Sequence, residues 1–129
     1  MSAIEDYLGK IDAILEKHKE YKGEAYYFVM SALNHTITKM GEQRHLTGQE
    51  LCVGIKDYAH EQFGPLSQTV LKYWGLKETF DFGKIVYYLI DSKLMNKTDE
   101  DSIEDFRDVY NFDEVFGKNY NYLAIENEL

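Results

Sequence analysis

The sequence predicts a mainly α-helical chain, with about five helices and a short β-hairpin towards the C-terminal end. Three observations carry that prediction. Apolar residues recur at helical spacing through five segments of the 129-residue chain. Gly41, the Gly64-Pro65 pair and Gly75 punctuate the boundaries between them. After Leu94 the helical pattern breaks into short apolar stretches on either side of a polar turn.

The first helix is expected from Ala3 to about Lys17, because Ile4, Tyr7, Leu8, Ile11, Ile14 and Leu15 share one face. Lys17, His18 and Lys19 then place positive charge at the negative end of its dipole. A second helix, from Glu24 to Met40, gathers Ala25, Tyr26, Val29, Met30, Leu33, Ile37 and Met40 in one broad sector, and Gly41 terminates it. Residues 41 to 46 form a loop. Thr47-Gly-Gln-Glu50 has the pattern of a capping box, in which the hydroxyl and the carboxylate each satisfy a backbone amide of the other residue. The helix it opens runs to about Phe63, with Leu51, Cys52, Ile55, Tyr58 and Ala59 on one side. Gly64 stops that helix, and Pro65 suits the first turn of the next, which reaches Trp74. Thr79 is the expected cap of a fifth helix to about Lys93, burying Phe82, Ile85, Val86, Leu89 and Ile90.

Residues 94 to 110 are read as a hairpin around the polar turn from Thr98 to Ser102. Ser102-Ile-Glu-Asp105 also fits a capping box, which would open a helical turn there instead. Asn111 or Asp113 caps a last short helix through Phe116. Residues 1 to 118 thus form a single helical domain, and 119 to 129 a loose polar tail.

Composition excludes more than it selects. With 44% apolar and 15% aromatic residues, the chain can fill one core. The lone cysteine, Cys52, permits no intramolecular disulfide and no cysteine-based metal cluster. The amino terminus lacks a secretory pattern, and no stretch approaches the roughly 18 apolar residues of a membrane span, so a cytoplasmic location without membrane contact is expected. There are 23 acidic against 14 basic residues, a net charge of -9, whereas DNA binding depends on neutralising phosphates. No nucleic-acid partner is therefore expected.

Two resemblances follow from particular residues. Residues 47 to 112, three helices and then a ribbon, resemble a winged helix in order of elements. Arg44-His-Leu-Thr-Gly-Gln-Glu-Leu-Cys52, Gly54-Ile-Lys-Asp-Tyr-Ala59 and Glu61-Gln-Phe-Gly-Pro-Leu66 resemble a family of small bacterial conserved-hypothetical proteins. Tyr73-Trp-Gly75, Phe82-Gly83, Leu89-Ile90, Lys97-Thr98 and Asp105-Phe-Arg107 extend that likeness, which covers roughly residues 26 to 116. The family has no assigned activity, so the resemblance implies neither a reaction nor a site.

Candidate chemistry is sparse. Asp57, His60 and Glu61 lie close on the third helix, with Glu50 two turns earlier, a set able to chelate a divalent cation or hold a His as a general base; Glu50, Asp57 and Glu61, however, lie opposite the apolar stripe, where a solvated helix keeps its charges. His18, His35, His45 and His60 show no helical zinc spacing, and neither a metal nor another cofactor is expected. Cys52, at the edge of an apolar stripe, reads as a buried structural residue. The acidic turn after Thr98 has Ile103 and Glu104 where a calcium loop would need other residues. Arg44, His45 and Thr47, before a capped helix start, are the candidate ligand-binding group, suited to a phosphate or carboxylate. Tyr27, Phe80, Lys84, Tyr87 and Tyr88 lie on or near the less apolar helix faces; they form an interface or seal contacts with the first helix or tail. Together these features favour a non-catalytic protein-interaction domain that binds a protein partner or itself. The alternatives are a small-ligand or anion-binding protein, or an enzyme, using Arg44 and His45, and a DNA-binding regulator disfavoured by charge.

Overall fold

The computed structural model describes residues 3–42, 44–98 and 100–117, and these are mainly helical. Six α-helices follow in order: α1 (Ala3–Lys17), α2 (Gly23–Met40), α3 (Gly48–Phe63), α4 (Ser67–Tyr73), α5 (Thr79–Asp91) and α6 (Phe112–Phe116). Tight 3-10 turns occupy Gly64–Leu66, before α4, and Ile103–Phe106, between α5 and α6. The tail expected at 119 to 129 lies outside the described residues.

The predicted stripes supply the core. Ala25, Tyr26, Phe28, Val29 and Ala32 of α2 meet Leu51, Cys52, Ile55 and Ala59 of α3 and Phe82, Ile85, Val86 and Leu89 of α5. Helix α1 contributes only Ile11 and Ile14 as buried residues. Its first turns carry Ile4 and Leu8, on the same stripe, into solvent.

Local signals act as the sequence implies at several joints. Gly41 ends α2 in the left-handed region at φ 77°, and the reciprocal Thr47–Glu50 capping box opens α3. Gly75 has φ 97°, and a Cβ there would fall 2.3 Å from the carbonyl oxygen of Glu20. Only glycine fits there, where the α4–α5 connection crosses the α1–α2 connection and the Lys22 amide donates to the Trp74 carbonyl at 3.1 Å. Asn111 caps α6, its side chain accepting from the Glu114 amide.

Three expectations are corrected. No strand occurs among the described residues, so the hairpin of residues 94 to 110 is absent, and the winged-helix order loses its wing. Ser102 and Asp105 instead form the capping box that opens the Ile103–Phe106 turn. The reason lies in what holds this segment. Phe106 seats on two glycines: a Cβ on Gly48 of α3 would lie 3.0 Å from its ring, and one on Gly83 of α5 only 2.8 Å from its Cβ. That notch draws residues 103 to 106 across α3 and α5, and side chains rather than a facing strand satisfy much of its backbone.

The second correction follows from the first. Thr79 is not the cap of α5. Glu78 holds that position in extended conformation, and the Asp81 carboxylate accepts from the Lys77 and Glu78 amides at 2.8 and 3.2 Å. Thr79, only 1% exposed, donates its hydroxyl to the Phe106 carbonyl at 2.6 Å and accepts from the Val109 amide at 3.1 Å. Tyr110 adds a bond from its hydroxyl to the Cys52 carbonyl at 2.8 Å, and Phe82, Phe112 and Phe116 pack ring to ring below it. Third, α5 stops at Asp91 rather than Lys93, and Lys93 turns the chain at φ 62°.

Candidate functional site

A cavity of about 320 Å³ lies where α2, α3 and α5 meet the segment that leads from Leu94 to Phe106. Its floor and walls are apolar, from Leu33 and Ile37 of α2, Leu51 of α3, Val86 and Ile90 of α5, and Phe106. All of them but Phe106 belong to the predicted core stripes. The connection after α5, called the arch below, lines the same space with Leu94, Met95, Asn96, Asp101, Ser102 and Asp105. Leu94 and Met95 on that arch are themselves only half-buried.

Polar groups gather at the mouth. Arg44, His45 and Thr47 from the α2–α3 loop face Asp101, Ser102 and Asp105 from the arch, with Tyr87 of α5 between. The His45 ring nitrogen Nε2 lies 2.8 and 3.0 Å from the two Asp101 carboxylate oxygens, closing a contact across the opening. Burial opposes ionisation of Asp101, but the Thr98 amide, at 2.8 Å, and His45 hold its carboxyl below the usual range. Asp105 accepts from the Ser102 amide at 3.2 Å. The Tyr87 hydroxyl oxygen is buried and has no hydrogen-bond partner among the described residues. Burial, and then the charges of Asp101 and Asp105, push its pKa up. A second, more polar depression adjoins this mouth, shares His45, Thr47, Asp101 and Asp105 with it, and adds Glu100.

The structure thus brings Arg44, His45 and Thr47 to one opening, but engages all three internally, His45 through Asp101. Arg44 grips both Glu50 oxygens, at 3.0 and 2.5 Å, and reaches Glu42 at 3.1 Å. The Thr47 hydroxyl accepts from the Glu50 amide as the cap of α3. The Arg44 bond, helped by the Thr47 amide, lowers the Glu50 pKa to about 2. The positive charge and helix-end amide that an anion would use are therefore already engaged by a carboxylate of the same chain.

The aromatic residues divide differently from the sequence grouping. Tyr88 stacks on His18 with centroids 3.8 Å apart and donates to Glu20 at 2.6 Å, sealing the end of α1 against α5. Phe80 lies under the Arg107 guanidinium at 4.2 Å and near the Lys84 ammonium at 5.9 Å. Tyr87 lines the cavity. Tyr27 alone of the group is exposed, at 65%.

Asp57, His60 and Glu61 do not converge. His60 contacts the Val115 carbonyl at 2.7 Å, Glu61 pairs with His35 at 3.0 Å, and Asp57 is exposed. Among the described residues no three His, Cys, Asp or Glu side chains are grouped to hold a metal ion. Cys52 is fully buried, which pushes its thiol up to about 12. No described helix is long and apolar enough to cross a membrane.

Asp101, Ser102, Asp105 and Tyr87 are the mouth residues that sequence reasoning did not join to Arg44 and His45. The Ser102–Asp105 capping pattern was a visible signal for a turn there, but nothing local shows that the turn lands beside residue 45. No protein-family model, curated protein or solved structure matches the chain.

Proposed function

We propose that this chain is a non-catalytic small-ligand-binding domain whose ligand enters the cavity between α2, α3 and α5. The observation that carries the reading is the combination of apolar walls with a buried Tyr87 hydroxyl, unpartnered among the described residues, at a polar mouth. A cavity of about 320 Å³ falls at the lower end of the range for small-molecule sites, and such sites pair apolar walls with a few polar groups that orient the ligand. The Thr47 and Ser102 hydroxyls at the mouth accept from the Glu50 and Glu104 amides, and among the described residues no hydrogen bond joins either to His45, which supports binding rather than turnover.

Methyl NMR tests this with 1-octanol as a neutral probe. Shifts are expected at Leu33, Ile37, Leu51, Val86 and Ile90 and not at the methyls of Ile11 or Ile14. Ile90→Trp fills the cavity from a half-buried wall position and should abolish them. Shifts dispersed over the surface, or unchanged in the filled variant, would overturn the reading.

A second reading, protein interaction, is supported by a different surface. Ile4 and Leu8 of α1 are 71% and 53% exposed, and Tyr27 of α2 is exposed as well. A sedimentation-velocity series over concentration tests self-association there, and a Leu8→Glu variant should abolish any dimer.

A further inference from the structure

Resting on that cavity reading, we infer that the ligand is an amphipathic organic cation, with its hydrocarbon body among Leu33, Ile37, Val86 and Ile90 and an ammonium head between Tyr87, Asp101 and Asp105. The charges left without an opposite charge beside them at the mouth are acidic. Arg44, a cation of the rim, is held by both oxygens of Glu50 and by Glu42. His45 is already turned onto Asp101. Against these stand Asp101, which His45 and the Thr98 amide already engage in part, and Asp105 and, in the adjoining depression, Glu100, which form no ion pair among the described residues. The rim is therefore negative, and its potential reaches an apolar, poorly screened interior.

Acceptor capacity points the same way. A carboxylate offers about four lone-pair sites. Asp105 accepts from the Ser102 amide and lines the cavity mouth, with acceptor capacity left over. The Tyr87 hydroxyl is a buried oxygen without a partner among the described residues, and it lies in the field of Asp101 and Asp105. An alkylammonium head brings three N–H donors, which suits an arrangement of a phenol oxygen and two carboxylates. A carboxylate or phosphate head would meet like charge from Asp101 and Asp105. The volume limits the body to a small one, on the order of ten non-hydrogen atoms at the packing volume of liquid water.

The test compares three probes of one chain length on the full chain at neutral pH: n-octylammonium, 1-octanol and octanoate, followed by the cavity methyl shifts. Octylammonium should bind about tenfold more tightly than octanol, the size expected of one charge-assisted hydrogen bond, and octanoate should bind most weakly. Asp105→Asn should bring octylammonium close to octanol and leave octanol unchanged. Tyr87→Phe, which removes a hydroxyl that bonds to none of the described residues, should weaken octylammonium and leave thermal stability intact; it serves where Asp105→Asn disturbs its turn.

Octanol or octanoate binding as well as octylammonium would overturn the cation assignment while leaving the cavity reading in place. So would an octylammonium preference that persists in both variants. Absence of cavity shifts with all three probes would overturn the cavity reading itself.

Discussion

Thr79 separates two accounts of the same residue, and substitution distinguishes them quantitatively. As a helix cap it would be replaceable by Asp at little cost, and Thr79→Val would lose about 1 kcal/mol. The structure instead makes it a buried bridge between the Phe106 carbonyl and the Val109 amide. Thr79→Val keeps the volume and removes both bonds. A buried polar group left without a partner costs about 1–3 kcal/mol, and the Val109 amide, in a half-buried residue, falls at the low end because water can relax towards it. The expected loss is therefore about 2–4 kcal/mol. Thr79→Ser keeps the hydroxyl and loses one methyl, about 1 kcal/mol. Thr79→Asp places a carboxylate against the Phe106 carbonyl and should cost more than Val. Urea unfolding followed by far-UV circular dichroism reads these differences. With a slope of about 2 kcal/mol/M, Thr79→Val should lower the midpoint by about 1–2 M without changing the slope. An Asp variant as stable as Ser, or a Val variant within about 1 kcal/mol of wild type, would refute the bridge.

Further expectations follow from packing and charge. Gly83→Ala adds a methyl 2.8 Å from Phe106 Cβ, so overpacking of about 1–3 kcal/mol should outweigh the roughly 1 kcal/mol that Ala gains over Gly in a helix; a variant more stable than wild type in the same urea assay would contradict the notch. Cys52 should resist a disulfide reagent in the native protein and react only as fast as the chain opens, whereas rapid native modification would contradict its burial. Glu50 has its folded-state pKa lowered to about 2, so the stability it contributes is full above the ordinary glutamate range and is lost as pH falls towards 2; Glu50→Gln should flatten the stability-versus-pH curve in that window. Burial lowers the His60 pKa despite the Val115 carbonyl, so the unfolded chain binds that proton more readily and stability should fall as pH drops through about 6.5; His60→Gln should reduce the slope there.

Helix positions were legible because their signals are local. The stripes of α2, α3 and α5, the Thr47–Glu50 box and the Gly41 stop each depend on residues within a few positions of one another. The segment after α5 was not legible, because its course is set by contacts 27 to 58 residues distant: Thr79 to Phe106 and Tyr110 to Cys52. Ser102 and Asp105 did advertise their turn, but a polar turn between apolar stretches advertises a hairpin equally well, and only the Phe106 seat on Gly48 and Gly83 decides between them.

The candidate site divides along the same line. The sequence by itself determined that Arg44, His45 and Thr47 precede a capped helix and that Leu33, Ile37, Val86 and Ile90 lie on apolar faces, since helical period and capping are short-range properties. Tertiary structure alone decided that those faces line a cavity, that Glu50 and Glu42 neutralise Arg44, and that Asp101, Asp105 and Tyr87 stand at the opening. Charge in a sequence is a sum, whereas a site reads the charges left over after pairing, and pairing is fixed by distance in the folded chain.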